Sequence, residues 1–461
     1  MAPNRWGGRL CSLGFVLVLL GCGETDLPVS PTRPPQPFDE VKTEISRLRG
    51  LPFLREVALE TKNREEIGSL SAEPVEDIAE EKSSLMAEIY QRLGLLTDGA
   101  DFSKDLVELQ LFRHSVYYDG ARQKIVVPQE PLKPARAFLR FPGKISEETT
   151  KQLLLAHALA HALQDQHFQW RARIRSRNTQ DSRLPLHAVM QGDAILVGLA
   201  YLAARKESGK EQIVDAVKSL FRASPAFERE LSVRPDLLRQ KLAFEYLYGS
   251  QFVLWAYSHK GWDGVNRLFL RPPVSTAQIL HPEKYYVKRE EPLRIIPWKL
   301  LRQSGAQKID QETLGEFTLR LLLAQTAGRE EAEKVAAGWL GDTLLALRNG
   351  DELILGWVIA WESQAGAREF LGAYRRVLER RYGPVFDATS AGNDTLVSRE
   401  GAHPLLLQIK DNFVFVLDGM PAPRSIEVAA GLWDELETTR DAPQIPFDQV
   451  RRSQGLASFR K

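Results

Sequence analysis

The sequence predicts a mainly α-helical protein with α+β parts. Amphipathic or Ala- and Leu-rich stretches fill most of the chain, and after Gly338 the pattern changes to β-forming runs that alternate with helical stretches. The chain has 461 residues, of which 43% are hydrophobic and 26% charged, so it carries enough apolar side chains for a sizeable core.

The composition excludes several function classes. Lys and Arg number 61 against 60 Asp and Glu, and this net charge of +1 gives no reason to expect a nucleic-acid partner. Two cysteines exclude a disulfide scaffold and a Cys-rich zinc fold. The sequence contains no GxSxG elbow, no Walker A motif and no dinucleotide-binding glycine fingerprint. A pair of glycosidase carboxylates stays open, because the acidic residues offer many pairs.

The N-terminal residues have the pattern of a targeting signal. Two arginines precede the apolar run Leu10–Leu20, which is too short to span a bilayer comfortably. The run ends in Leu-Leu-Gly-Cys, which resembles a bacterial lipobox. We therefore predict a lipoprotein signal peptide over residues 1–22 and a lipid anchor on Cys22. An ordinary secretory signal and an N-terminal membrane helix are the alternatives.

The residues that follow the cysteine indicate where the chain would lie. Residues 23–37 are rich in proline and predict a stiff tether that holds the folded part away from the membrane. Gly23 follows the cysteine, so no aspartate stands there as a signal for retention in the inner membrane. We expect a protein of the cell envelope whose membrane partner is reached through the lipid on Cys22, in the outer membrane if the host has one.

Residues 38–337 predict one helical domain. Asp39-Glu40-Val41 opens an amphipathic helix, and the pattern stays mostly helical to about Leu96, with a second helix over Val75–Leu95. A hairpin over 114–127 is predicted around an Asp-Gly turn signal. The next patterns predict a helix that is capped by Ser146 and ends at Phe168, followed by a solvated Arg-rich connection over 171–185. A buried helix is predicted over Leu186–Ala204, with further helices to about Leu270. An irregular Pro-rich segment over 271–297 and a helix over Gln311–Ala337 complete this domain.

Residues 338–461 predict a C-terminal α+β subdomain. A hairpin over 343–363 is predicted to turn at Asn349-Gly350. The patterns that follow predict a helix over 366–382, strands within 394–417 and a helix over 424–438.

Two histidines have a spacing that suits chelation. His157 and His161 stand four residues apart in the predicted helix, so their side chains share one face, about 6 Å apart at Cβ. Two imidazoles at this spacing can bind one metal ion. The alternative is a pair of packed or surface histidines on an Ala-rich helix.

The sequence around the pair resembles a known group of proteins. HALAHALQDQHF (157–168) resembles secreted prokaryotic zinc metallopeptidase-like proteins of the gluzincin type, in which HExxH precedes the same ALQDQHF box. The resemblance extends along most of the chain, through LRGLPF (48–53), VYYDGARQKIVV (116–127), QGDA (191–194), YLYGSQFV (246–253), PPVSTAQILHPEKY (272–285), GWLGD (338–342) and AREFLGAY (367–374). It implies a gluzincin-like helical core with a small β-hairpin wall.

The resemblance also implies roles for individual residues. In such sites two helix histidines and a carboxylate on the next helix bind zinc, and the glutamate after the first histidine is the general base. His157 and His161 match the histidines, but Ala158 occupies the base position and Gln191 the third-ligand position. We therefore expect no catalytic residue, and we expect zinc to be absent or weakly bound, because a neutral amide replaces a carboxylate.

These losses leave more than one function open. The first is a catalytically inactive metallopeptidase homologue, a pseudo-peptidase, that binds a peptide or an envelope protein. The alternative is an active zinc metallopeptidase with an unusual third ligand, for which His187 is the candidate because it lies one helical turn before Gln191. A different enzyme on the same framework is the third reading.

Further candidate residues surround the pair. Asp165 and Asp193 could each orient an imidazole from behind, and capping or surface solvation are their alternative roles. Tyr117, Tyr118 and Tyr248 are candidates for the walls of a cleft that binds peptide by strand addition, with core packing as the alternative.

Overall fold

The computed structural model describes the chain between residues 37 and 440 with several gaps. The described residues are 37–63, 66, 80–97, 101–102, 104–106, 116–129, 147–205, 210–222, 236–297, 300, 302, 304–386 and 394–440. The predicted signal peptide, the lipidation residue Cys22, the tether before Pro37 and the N-cap Ser146 lie outside them. The described residues belong to one compact unit that begins at Pro37, and the predicted division after residue 337 stays a prediction.

The predicted fold class is confirmed, because the described residues are mainly α-helical with α+β parts. Their helices are α1 (Pro37–Arg49), α2 (Glu80–Leu93), α3 (Glu147–Phe168), α4 (Trp170–Arg175), α5 (Gln180–Arg205), α6 (Lys210–Arg222), α7 (Asp236–Ala243), α8 (Gly249–Leu270), α9 (Thr276–Leu280), α10 (Glu283–Tyr286), α11 (Gly315–Ala327), α12 (Arg329–Ala336), α13 (Gln364–Tyr382) and α14 (Arg424–Leu432). A π-helical turn, Phe244–Tyr248, joins α7 to α8.

The strands form three sheets within the described residues. The strands are β1 (Ala58–Lys62), β2 (Tyr117–Asp119), β3 (Lys124–Pro128), β4 (Arg294–Pro297), β5 (Gln307–Glu312), β6 (Trp339–Asn349), β7 (Glu352–Trp361), β8 (Thr395–Val397), β9 (Leu405–Lys410), β10 (Phe413–Asp418) and β11 (Leu436–Thr439). The sheet orders are β1-β3-β2, β5-β6-β7-β10-β9-β8 and β11-β4. All neighbours in the six-stranded sheet are antiparallel.

Helix α3 carries the histidine pair, and its predicted bounds agree with the structure. It consists largely of Ala, Leu, Gln and Glu, which favour helix, and Glu147 and Glu148 lie in the first turn, at the positive end of the helix dipole. The helix ends at Phe168, because Gln169 adopts a left-handed conformation with φ 51°. The Ala-rich side of α3 is buried, which lets neighbouring elements approach closely.

The prediction for the segment before α5 is wrong. The sequence predicts a solvated connection over 171–185, whereas the structure contains α4 and begins α5 at Gln180. Pro185 therefore lies inside α5, where it removes one helical hydrogen bond. Burial of most of the helix compensates for that loss. Among the described helices, α5 alone is long and apolar enough to cross a membrane, but 78% of its apolar window is buried within the protein, as expected of a core helix.

Two glycines bring α5 and α8 into direct contact. A Cβ atom on Gly192 would collide with the carbonyl oxygen of Gly249, and one on Gly249 would collide with the carbonyl oxygen of Ala188. The QGDA and YGS motifs thus meet at one helix crossing, where only glycine fits. This crossing holds the π-helical turn against α5.

The small sheet confirms the predicted hairpin and adds a strand that the sequence does not predict. Strands β2 and β3 pair antiparallel around the turn that begins at Gly120. Strand β1 pairs with β3 in parallel, although the pattern of residues 38–96 predicts mostly helix. The long-range pairing with β3 overrides the local pattern.

The C-terminal patterns need three corrections. Strand β5 replaces the start of the helix predicted from Gln311, and α11 begins only at Gly315. The segment 271–297 contains α9, α10 and β4 and is not irregular throughout. Strand β11 replaces the end of the helix predicted over 424–438, because it pairs with β4. The predicted hairpin is confirmed as β6 and β7, with Gly350 at φ 60° in its turn.

Asp342 on β6 links the sheet to α11. Its carboxylate accepts hydrogen bonds from the backbone N–H groups of Leu314 and Gly315 at 2.9 and 3.0 Å. It also accepts from the indole N–H groups of Trp339 and Trp357 at 2.9 and 3.0 Å. Burial raises the pKa of Asp342, and these four donors oppose the shift. The carboxylate therefore caps α11 from within the core.

Asp181 lies in the same buried region, in the first turn of α5. It accepts from the backbone N–H of Thr276 at 2.8 Å and from the hydroxyl of the same residue. The pKa of Asp181 is raised to about 7, mainly by burial; the bonds from Thr276 oppose this shift, and the neighbouring Asp342 and Glu316 carboxylates contribute to it. Asp181, Asp342 and Glu316 form what we call the carboxylate cluster.

Candidate functional site

The two histidines of α3 face each other. The Nε2 atoms of His157 and His161 lie 3.2 Å apart, and the ring planes are nearly perpendicular at 84°. Both side chains are partly buried. The four-residue spacing thus gives the shared face that the sequence predicts.

Gln191 on α5 supplies a third donor atom. Its Oε1 lies 3.1 Å from Nε2 of His157. Zinc bonds of 2.0–2.1 Å in a tetrahedron place donor atoms about 3.3 Å apart. The distances from Nε2 of His157 to the other two donors, 3.1 and 3.2 Å, are therefore compatible with a small divalent cation. The charge of these donors is not, because two imidazoles and an amide contribute no negative charge to hold it.

The pKa of the first imidazole indicates that it is neutral. Desolvation and the neighbouring His161 hold the pKa of His157 well below its ordinary value, and the hydrogen bond with Gln191 opposes this shift only in part. His157 is therefore neutral at pH 7. A neutral imidazole can present a lone pair from either ring nitrogen, depending on its tautomer.

The structure does not bring a replacement ligand to the pair. His187 lies on α5, partly buried, one turn before Gln191. Within the described ranges, no three His, Cys, Asp or Glu side chains lie close enough together to hold a metal ion. His187, Asp165 and Asp193 therefore do not complete a three-residue ligand group with the two histidines in this structure.

The base position is enclosed by apolar side chains. Ala158 is 0% exposed. It belongs to a hydrophobic cluster with Val41 and Ile45 of α1 and Tyr118 of β2. A glutamate at this position would have to place its carboxylate in the buried interior or displace neighbouring side chains.

Gln164 contacts the imidazole of His161 at Nδ1, the ring nitrogen that does not face His157. Its Oε1 lies 2.9 Å from Nδ1 of His161. Its amide N–H groups donate to the carbonyl oxygen of Met190 at 3.0 Å and to Oδ2 of Asp193 at 2.9 Å. Asp193 is a candidate from the sequence for orienting an imidazole, with capping or surface solvation as its alternative roles, and in the structure it is connected to His161 through Gln164.

A buried ion pair lies behind Gln164. Arg49 of α1 is 3% exposed and Asp193 is 0% exposed, and their Nη2 and Oδ2 atoms lie 3.5 Å apart. Arg49 also donates to Asn266 at 3.0 Å, and its guanidinium lies 4.5 Å from the ring centre of Trp262. Nη1 of Arg49 and Oδ1 of Asp193 have no hydrogen-bond partner among the residues that the structure describes.

The other predicted carboxylate contacts the hairpin. Oδ2 of Asp165 accepts from the hydroxyl of Tyr118 at 3.0 Å. Burial and the neighbouring carboxylate raise the pKa of the Tyr118 hydroxyl, so it remains a donor. This bond ties β2 to the histidine helix. Tyr117, the adjacent candidate, is partly buried on the same strand.

Aromatic rings close around the imidazoles. Tyr246 in the π-helical turn stacks on His157 with ring centres 6.1 Å apart and planes 12° from parallel. Trp170 donates its indole N–H to the carbonyl oxygen of His161 at 3.3 Å. Tyr248, the predicted wall residue, stacks on Phe244 at 5.6 Å in the adjoining core. The described tyrosine ring that lies against His157 is therefore that of Tyr246.

Sequence reasoning missed Arg49 and Gln164, although both leave a signal. Arg49 follows Val41 and Ile45 at four-residue intervals, which places a charge on the buried face of α1. Gln164 stands three residues after His161, on the same side of α3. A polar residue on an otherwise buried helix face needs a partner, and here the partners are Asp193 and an imidazole.

Comparison with known proteins covers the C-terminal part of the chain. A family described as a domain of unknown function (DUF8575) matches residues 302–428, which run from just before β5 into α14. No curated protein and no solved structure matches the chain. The matched residues include Asp342 of the carboxylate cluster and exclude the histidine pair.

Proposed function

We propose that this protein is a membrane-anchored envelope lipoprotein with a degenerate metallopeptidase site, a pseudo-peptidase that binds peptide or protein without cleaving it. The observation that carries the proposal is the enclosed Ala158. Peptide hydrolysis at a zinc site needs a base that takes a proton from water, and loss of such a base costs on the order of 10²–10⁴-fold in rate. The methyl group of Ala158 cannot accept a proton.

The donor set supports the same conclusion. His157, His161 and Gln191 would hold the ion, and a bound zinc would supply a Lewis acid for a substrate carbonyl. The amide of Gln191 keeps the shape of a glutamate ligand and lacks its charge. At an effective dielectric of 20, one unit charge about 4 Å from another contributes about 4 kcal/mol. The site is therefore proposed to bind zinc weakly or not at all.

The geometry of the small sheet supports peptide binding. Strand β2 lies at the edge of the described β1-β3-β2 sheet and contacts α3 through the Tyr118–Asp165 hydrogen bond. An edge strand can pair with an extended peptide through backbone hydrogen bonds. A peptide added there would lie beside the histidine helix, which is where a peptidase framework would place its substrate.

The membrane anchor is tested by fractionation. We expect the native chain in the membrane fraction and Cys22→Ser in the soluble fraction, because the substitution removes the thiol that carries the lipid. A Cys11→Ser variant is the matched control, since it changes the other cysteine in the predicted signal. A Cys22→Ser protein that remains bound as firmly as the native chain contradicts the anchor.

The alternative, an active zinc peptidase with another third ligand, is tested by metal content. The full chain is purified in detergent without a histidine tag and its zinc is measured. We expect well under one zinc per chain. One tightly held zinc, lost in His161→Ala and in His187→Ala, supports the alternative. The His259→Ala variant is the control, because that histidine is exposed on α8, away from the predicted ligands.

Binding without cleavage is tested with one defined probe. A fluorescent, reduced and alkylated protein without stable structure is titrated with the full chain, and anisotropy and mass are followed together. We expect saturable binding with an intact probe. Absence of any binding at high concentrations of the chain contradicts the binding half of the proposal.

A further inference from the structure

We propose that Gln164 is a positioning residue that fixes the tautomer of His161, so that the Nε2 lone pair of this imidazole points toward His157. The role assigned to Gln164 rests on the proposed function of the same site. Its test uses neither cleavage nor peptide binding, so the two can fail separately.

The orientation of the Gln164 amide follows from its partners. The carbonyl of Met190 and the carboxylate of Asp193 can only accept, and both lie within 3.0 Å of the same terminal atom of Gln164. That atom must therefore be the NH₂ group. The amide oxygen then faces Nδ1 of His161 at 2.9 Å, and it can only accept. Nδ1 of His161 must carry the proton.

The tautomer of the second imidazole determines that of the first. A neutral His161 with a proton on Nδ1 has a lone pair on Nε2. Nε2 of His157 lies 3.2 Å from this lone pair and 3.1 Å from the amide oxygen of Gln191. A proton on Nε2 of His157 satisfies both acceptors, which assigns this ring the opposite tautomer. One proton thus lies among three donor atoms that are spaced for a metal ion.

The buried ion pair explains why Gln164 does not rotate. Oδ2 of Asp193 accepts from Gln164 at 2.9 Å and lies 3.5 Å from Nη2 of Arg49. Rotation of the amide by 180° would direct its oxygen at that carboxylate and at a carbonyl. Both contacts would then be repulsive. The chain from Arg49 through Asp193 and Gln164 therefore transmits one orientation to His161.

The test is a nitrogen-15 spectrum of histidine side chains in the full chain, purified in detergent and held at one pH. His157→Gln and His161→Gln variants assign the two rings. We expect opposite tautomers, with protonated Nδ1 in His161 and protonated Nε2 in His157. Gln164→Leu keeps the volume and removes the acceptor, so the tautomer preference of His161 should fall by about three- to tenfold, the effect of one net hydrogen bond.

A further variant separates positioning from general support. Gln166→Leu is the control, because Gln166 is also buried on α3 but bonds the backbone of Leu54 and Arg55. It should leave both imidazole spectra unchanged. If Gln164→Leu does not fold, the native spectrum decides: a native His161 that is protonated on Nε2 overturns the proposal.

Discussion

The histidine site and the carboxylate cluster use buried polar groups in opposite ways. At the histidine site, Gln164 and Gln191, both neutral, contact the imidazoles, and the charged Arg49–Asp193 pair lies one contact further away. In the carboxylate cluster, Asp342 receives four N–H donors directly and joins two secondary structures. The chain therefore keeps its buried carboxylates where they support the fold, and the histidine site lacks them where zinc chemistry would need them.

The difference has a physical reason. A buried carboxylate is stable only if donors replace the water that it loses, and backbone and indole N–H groups do this for Asp342. Next to the histidines, Ala158 belongs to an apolar cluster and Gln191 contacts a neutral imidazole. Neither of these two positions carries a charge.

The largest expected effect is at the carboxylate cluster. Asp342→Ala should lower the free energy of unfolding by about 3–5 kcal/mol, because it leaves two backbone and two indole N–H groups unpaired in the core. Asp342→Asn should cost less, since one side-chain oxygen still accepts. Urea denaturation followed by tryptophan fluorescence measures both. A loss below about 1 kcal/mol for Asp342→Ala would mean that the cluster does not carry the link between α11 and the sheet.

The next effect is at the base position. Ala158→Glu should lower the free energy of unfolding by about 3 kcal/mol or more, because it adds volume and an unpaired carboxylate to a closed apolar cluster. Ala158→Gln adds nearly the same volume without the charge and should cost less. Thermal and urea unfolding measure the difference. A stable Ala158→Glu protein would show that the base position opens toward a cleft.

The pH dependence of the free energy of unfolding is a second test of the carboxylate cluster. Because burial raises the pKa of Asp181 to about 7 from 3.8, the folded chain keeps this proton in that interval while the unfolded chain has released it. The contribution of Asp181 to the free energy of unfolding therefore falls as the pH rises from about 4 to 7. Asp181→Asn keeps an oxygen for Thr276 and should remove this decline.

The comparison that isolates Asp181 is the difference between the native chain and Asp181→Asn. His281 lies nearby, with its Nε2 2.8 Å from Oε1 of Glu316. The effects of Asp342, Glu316 and His281 are present in both proteins and largely cancel. We expect similar stability near pH 4 and a more stable variant near pH 8. A native chain that gains stability relative to the variant as the pH rises contradicts the sign.

The smallest expected effect is a change in zinc affinity at the histidine site. Gln191→Glu should raise zinc affinity by about tenfold or more, because it adds one negative charge beside two imidazoles without changing the shape of the side chain. It should give no peptidase activity, since the base is still missing. Isothermal titration with zinc measures the affinity, and Gln191→Glu combined with His161→Ala is the control. Unchanged affinity would mean that the side chain of residue 191 does not face the ion.

The sequence predicts part of the fold and of the histidine site. Each feature that it does not predict has a specific physical reason. Four-residue spacing and helix-favouring composition predict α3 and the shared face of His157 and His161, because both depend on local geometry. Strand β1 and the partnership of Arg49 with Asp193 depend on contacts between distant segments, and local patterns carry only a trace of them. The resemblance to metallopeptidase-like proteins pointed to Ala158 and Gln191, but it did not show that Ala158 is enclosed.

The most direct test of the central claim is cleavage by the native protein. The full chain is incubated in detergent with zinc and an unstructured protein, and products are followed by mass spectrometry beside His157→Ala and a chelator-treated sample. We predict no turnover above the His157→Ala background. Turnover by the native chain that the chelator and His157→Ala both abolish would contradict the pseudo-peptidase account and establish an active metallopeptidase.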